Sequence, residues 1–294
     1  MKCIVTGGAG FIGTNLINKL LDDGHEVISI DNYSTGKKEN EVQRDGVKYF
    51  DVDLGEVKFY SSHMDKPDVI FHLAALSRIQ PSFDDPEQTF KSNVYSTVNM
   101  MENARRNKIP VVYAGTSSVH GDKYINPYTF TKWQGEEIIK MYSELFDVPS
   151  CICRFYTAYG PHQATEGAYC NVLGIFERQY GEGRQLTITG DGEQRRDFVD
   201  VRDIVDGMVK CMEAMHGAVD MRYSAETFEL GKGKNYSINE VARAFGENYP
   251  TKHIEATPGE MRETLCTDTK AKDVLNWNPK GDVIEYIKEE LVGE

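Results

Sequence analysis

A tyrosine and a lysine four positions apart, Tyr128 and Lys132 in "NPYTFTK", are the residue types that move a proton to and from a hydroxyl. At that spacing two side chains share one helix face. Asn126 suits an N-cap and Pro127 a first helical turn, so a helix is expected to open there and present both. A phenol titrates near ~10 and each unit of lowering takes ~1.4 kcal/mol, so a base working near neutrality needs roughly 4 kcal/mol. A helix dipole offers only ~0.3–1 kcal/mol. A nearby ammonium and a second cation, at roughly 4 kcal/mol per close pair in an intermediate dielectric, can supply the remainder. The spacing recurs at Tyr33 and Lys37, but Gly36 inside "YSTGK" argues for a loop there.

A glycine turn names the source of that second cation. "VTGGAGFIGTN" sets Gly7, Gly10 and Gly13 between a strand and a helix, where a tight turn and a bare helix N-terminus receive a pyrophosphate. Asp31 ends the next strand, eighteen residues after Gly13, where a carboxylate accepts from an adenosine ribose. The same carboxylate repels a 2′-phosphate, which favours NAD over NADP. An oxidised nicotinamide carries the positive charge that an acidic tyrosine requires.

Short β-branched runs alternate with amphipathic segments through the first half, the pattern of a parallel sheet wrapped by helices. Strands are read at "CIVTG", "EVISID", "VKYFDVD", "DVIFHLAA", "VVYAGTSS" and "SCICRFYT", with helices over Phe11–Leu21 and near 87–107 and 128–146. From about Gly160 the chain is more irregular and reads as a smaller lobe interleaved with the last strands. The 294 residues carry a net charge of -13, which argues against a nucleic-acid binder. No apolar run approaches the ~20 residues of a membrane helix. "MKCIVTGGAG" enters a strand at once, leaving no room for a signal peptide, and the six cysteines form no CxxC or zinc pattern. A cytoplasmic protein without a metal is expected.

Taken in order, "TGGAGFIG", Asp31, Asp53-Leu54, "HLAA", Asn93-Val94, "TSSVHGD", "PYTFTK", "RFYTAYGP", "GDGEQRRDFVDVRD" and the late "PGEMRETL…DTKAKDVLNWNPK" resemble a known family. It is the extended short-chain dehydrogenase/reductases, specifically the NAD-dependent epimerase/dehydratase family acting on nucleotide sugars. The resemblance implies an α/β fold, a Rossmann-type doubly wound parallel sheet with a smaller, interleaved C-terminal substrate-binding lobe. Residues 1–160 and roughly 197–232 would bind NAD, and roughly 161–196 and 233–294 the nucleotide-diphosphate sugar. It assigns Tyr128 as general base, Lys132 to the nicotinamide ribose and to lowering the tyrosine's pKa, and Thr116 to the reacting hydroxyl. Gly7, Gly10, Phe11, Ile12, Gly13, Asp31, Asn32, Asp53, Leu54, Ala74, Ala75 and Asn93 would contact the cofactor. Ser118, Thr157, Asn171, Arg196 and Arg262 would face the substrate, both arginines as diphosphate clamps. A homodimer built on the helices near 87–107 and 128–146 is also implied.

The reaction is read from the two residues after Thr116. Family dehydratases and decarboxylases carry an acid there, whereas this chain has Ser117 and Ser118. That resembles the 4-epimerases, which oxidise and re-reduce one carbon through a 4-keto sugar. A dehydratase, decarboxylase or 4-keto reductase on the same scaffold is the alternative, and a non-catalytic NAD sensor the reading from another class. Several positions depart from the family's pattern: His120 for a tyrosine, Thr157 for an asparagine, Thr189 for an aromatic residue, and a short 122–127 loop. His120 is expected to be packed or hydrogen-bonded rather than to act as a second base. Thr264, in place of a bulky aromatic residue, leaves room for an N-acetylhexosamine.

Overall fold

The computed structural model describes residues 1–57, 66–218, 225–256 and 261–293. The Pro258–Glu260 part of the late motif lies outside them. Seven strands form one all-parallel sheet: β1 (Lys2–Thr6), β2 (Glu26–Asp31), β3 (Val47–Asp51), β4 (Val69–His72), β5 (Val111–Thr116), β6 (Ser150–Phe155) and, after three strands elsewhere, β10 (Glu226–Leu230). Their order is β10-β6-β5-β4-β1-β2-β3, so the chain reverses direction of winding between β1 and β4. In such sheets the ligand crevice lies at the carboxyl ends of the strands at that reversal.

The strands alternate between two apolar layers, as a sheet covered on both faces must. Cys3, Val5, Val69, Phe71, Cys151 and Cys153 face one side, where helices α1 (Phe11–Asp22) and α7 (Val201–Glu213) add Leu16, Leu20, Ile204 and Met208. Ile4, Ile70, Val111, Tyr113 and Ile152 face the other, against Met100, Met101 and Ile139. Those three come from α4 (Ser96–Asn107) and α5 (Pro127–Phe146). Two short helices, α2 (Ile79–Asp84) and α3 (Pro86–Phe90), lead into α4 through the wider turn Lys91–Tyr95.

The remaining strands make two small sheets. β7 (Thr157–Tyr159), β9 (Arg195–Asp200) and β11 (Asn235–Ser237) form one, and β8 (Leu186–Thr189) with β12 (Thr251–Ile254) the other. With α6 (Val172–Gly181) they enclose a third core around Phe176, Ile188, Phe198 and Val241. Six of the seven sheet strands fall where the sequence pattern puts them. β10 does not announce itself: "ETFEL" carries two glutamates and is recruited by its pairing with β6.

Candidate active site

The carboxyl ends of β1, β4 and β5 open on one cleft of about 620 Å³. At one end the glycine turn does what its residue types demand. Gly7 has a left-handed backbone (φ 72°). A Cβ on Gly13 would stand 2.1 Å from the Gly7 carbonyl oxygen, so α1 can pack this closely only with glycine. No side chain caps α1 at Gly10, and Gly10, Phe11 and Ile12 line the cleft, leaving a helix N-terminus facing it. Asp31 accepts from the Ala9 and Tyr33 amides at 2.9 and 2.8 Å, and burial raises its pKa against those bonds. Asn32 donates to Asp53 at 2.8 Å, and Leu54, Ala74 and Ala75 complete this wall. The cradle fits an adenine dinucleotide: a bare helix N-terminus for the pyrophosphate and a carboxylate at the adjacent strand end for ribose hydroxyls.

The other end is built on α5. Asn126 accepts from the Thr129 amide at 2.7 Å and starts the helix, and the Tyr128 amide donates to Ser82 Oγ at 3.1 Å. Tyr128, Lys132, Thr116 and Ser118 all line the cleft. The Thr116 hydroxyl donates to Ser118 Oγ at 3.2 Å and stands near enough to the Tyr128 phenol to favour its ionised form. Burial nonetheless raises the phenol's pKa, with the Thr116 hydroxyl and the Arg78 charge pulling the other way. Burial lowers Lys132 to about 8 while the Glu136 carboxylate opposes the shift, and its ammonium sits 4.2 Å from the centre of the Tyr113 ring. The expected lowering of Tyr128 by Lys132 is therefore not produced by these surroundings alone. Desolvation dominates at the phenol, and the ammonium is engaged with Tyr113. Tyr33, by contrast, sits in a loop and donates to Glu41 at 2.6 Å, as its context implied.

Toward the smaller lobe, Thr157, Asn171 and Arg196 line the same cleft. Asn171 caps α6, accepting from the Gly174 amide at 2.7 Å and donating to the Ala158 carbonyl at 2.8 Å, so its amide is committed to the backbone. Two expected ligands are not brought to the cleft. Arg262 makes a bidentate ion pair with Asp191 at 2.8 and 2.9 Å, both side chains exposed, and is absent from the lining. Asn93 is buried and ties the turn after β4, accepting from the Leu76 amide at 2.7 Å and donating to Thr131 at 3.0 Å.

Residues 3–225 match the family model described as the NAD dependent epimerase/dehydratase family. The chain belongs to that family. A UDP-glucose 4-epimerase of Mycolicibacterium smegmatis is 32% identical over 309 residues, covering 98% of this chain and 96% of the relative. The crystal structure of a UDP-glucose 4-epimerase from Thermotoga maritima superposes with a TM-score of 0.90 at 26% identity, covering 100% and 98% of the two chains. A UDP-glucuronic acid 4-epimerase from Bacillus cereus, solved with UDP-glucuronic acid and NAD, gives 0.87 at 26% identity over 100% and 98%. In this member of the NAD dependent epimerase/dehydratase family, sequence reasoning overlooked Arg78 and Ser82. Arg78 lines the cleft, donates to the Tyr169 carbonyl at 2.7 Å and acts on Tyr128 by its charge. No motif flags either residue; only the return of α2 against α5 brings them to the tyrosine.

Proposed function

We propose that the protein is an NAD-dependent 4-epimerase of a UDP-sugar, working through a transient 4-keto sugar. The observation that carries this reading is the composition of the cleft wall. Among the described residues lining it, the carboxylates are Asp31 and Asp53, both at the adenosine end. Beside Tyr128 stand Thr116, Ser117 and Ser118, none able to act as the carboxylic acid that water elimination or decarboxylation would use. Oxidation and re-reduction of one carbon need only a base and a hydride acceptor.

NAD, held by the glycine turn and Asp31, would supply the hydride acceptor for the sugar's C4. Tyr128 Oη takes the proton of the 4-hydroxyl, and Thr116 hydrogen-bonds that hydroxyl and orients it. Because burial keeps the proton on Tyr128 Oη, the phenol becomes a base only once further positive charge enters beside it, and Arg78 and the Thr116 hydroxyl bias it in that direction. Lys132, its ammonium supported by Glu136, is placed to hold ribose hydroxyls. Arg196 and Arg78 offer the cationic wall for a diphosphate.

Thr157, Thr187, Thr189 and Thr264 leave small side chains around the sugar end, which favours acceptance of an N-acetylhexosamine beside an unmodified hexose. In this reading residues 1–160 and roughly 197–232 bind NAD, and roughly 161–196 and 233–294 the nucleotide sugar. The exposed aromatic and aliphatic groups of α5 and the loop before it, including Tyr124, Met141, Leu145 and Phe146, support a homodimer through α5 and its neighbour α4. All six cysteines are free thiols, which accords with the reducing cytoplasm. Incubation with UDP-glucose and with UDP-N-acetylglucosamine, followed by separation of the products, tests the reading. Galacto-configured products are expected, and a 4-keto-6-deoxy sugar or a pentose would contradict it.

A further inference from the structure

His120 closes the short turn Ser117–His120 that follows β5, and its Nε2 stands 3.0 Å from Glu229 Oε1 on β10. The same oxygen accepts from Arg154 Nη1 of β6 at 2.9 Å. Arg154 also clamps Glu136 on α5, with Nε 3.1 Å from both oxygens and Nη2 2.6 Å from one. Glu136 and Glu229 are 0% and 7% exposed, whereas the His120 side chain is 45% exposed. Arginine does not deprotonate, so His120 is the member of this chain of charges that exchanges a proton with water near neutrality. Glu229 Oε2 is buried without a hydrogen-bond partner, so a neutral His120 leaves two buried carboxylates on one guanidinium.

The turn that His120 closes also carries the sugar-facing hydroxyls. Ser118 Oγ lies 3.2 Å from Thr116 Oγ1, and both residues line the cleft together with Tyr128. A Cβ on the next residue, Gly121, would touch Met261 at 3.5 Å, and Met261 lines the cleft. We propose that His120 is a positioning residue whose imidazolium latches this turn to Glu229 and so holds Ser118 and Thr116 against Tyr128. Its kinetic readout rests on the epimerase reading above.

The charged groups that bear on His120 are Glu229 of β10, Arg154 of β6 and Glu136 of α5. The bond to Glu229 raises the imidazole's pKa above its ordinary value; burial and Arg154 work against that, and Glu136 with it. The latch is therefore strongest below this raised pKa and weakens from an ion pair to at most a single neutral N–H bond as pH rises through it.

Two measurements test the latch. Turnover of UDP-glucose is followed from about pH 6 to 9 in the wild type and in His120→Gln, whose amide donates to Glu229 at every pH. The wild type is expected to lose about threefold or more of kcat through the latch ionisation, a loss the Gln variant does not show. Superimposable profiles would overturn the proposal. In parallel, the imidazole of His120 is titrated by NMR in the wild type and in Glu229→Gln. It should titrate above about 6.5 in the first and drop in the second; an unchanged midpoint would overturn the latch. If the wild type turns over no UDP-sugar, the functional reading fails, and the NMR arm still decides the latch by itself.

Discussion

Replacing Arg154 by Met removes the one cation that two buried carboxylates share. The guanidinium makes three contacts to Glu136 and one to Glu229, and Glu136 is wholly buried. Removing one partner of a buried ion pair costs about 3–5 kcal/mol, because the remaining charge stays desolvated. While His120 is protonated Glu229 keeps it as a partner, so under those conditions the loss is set by Glu136 and should lie in that range rather than at twice it. At roughly 2–4 °C per kcal/mol for a chain of this order of size, the midpoint of thermal unfolding should fall by about 10 °C. The deficit should also depend on pH. In the wild type the bonds from His120 and Arg154 hold Glu229 below its usual value against burial, a stability present above the unfolded pKa and lost as pH falls through the folded one. In the variant an uncompensated buried carboxylate takes a proton more readily, so the variant loses stability as pH rises and regains it on acidification. The two curves should thus converge toward pH 5 and separate toward pH 8. Urea or thermal unfolding at both pH values, with Arg154→Met/Glu136→Gln as a partial rescue, provides the assay. A deficit under about 1 kcal/mol that is equal at both pH values would refute the reasoning.

Three further outcomes are expected. Tyr128→Phe should lower kcat by about 10²-fold or more while NAD affinity, read by titration calorimetry, changes little. Asp31→Asn should weaken NAD binding and narrow the preference over NADP, since the carboxylate that repels a 2′-phosphate is gone; an unchanged NAD:NADP affinity ratio would remove Asp31 from the ribose site. Asn126→Ala deletes the 2.7 Å cap of α5 and should cost about 1 kcal/mol of stability, with a larger proportional loss of kcat because Tyr128 lies in the first turn.

Much of this site is legible in the chain because its signals are local. The glycine turn, the acid ending β2 and the Asn126-Pro127 helix start each arise from residues within a few positions of one another, where sterics and hydrogen bonding leave few alternatives. What escaped is held by contacts distant in sequence. β10 is drawn in by β6, seventy-five residues earlier, and Glu229 meets His120 and Arg154 only through that pairing. Asn93 and Arg262 are drawn away from the cleft lining for a related reason. A polar side chain predicted at a ligand finds a closer partner in the fold: the Leu76 turn for one, Asp191 for the other. The acidity expected of Tyr128 needs an oxidised nicotinamide as well as Lys132, and without that charge burial, a property of the whole fold, sets the direction.

The most direct test tracks the hydrogen on C4. UDP-glucose deuterated at that carbon should yield UDP-galactose that keeps the label at C4, because the hydride leaves and returns without meeting solvent. Label washed out into water, or product formed with C4 unchanged in configuration, would contradict the mechanism.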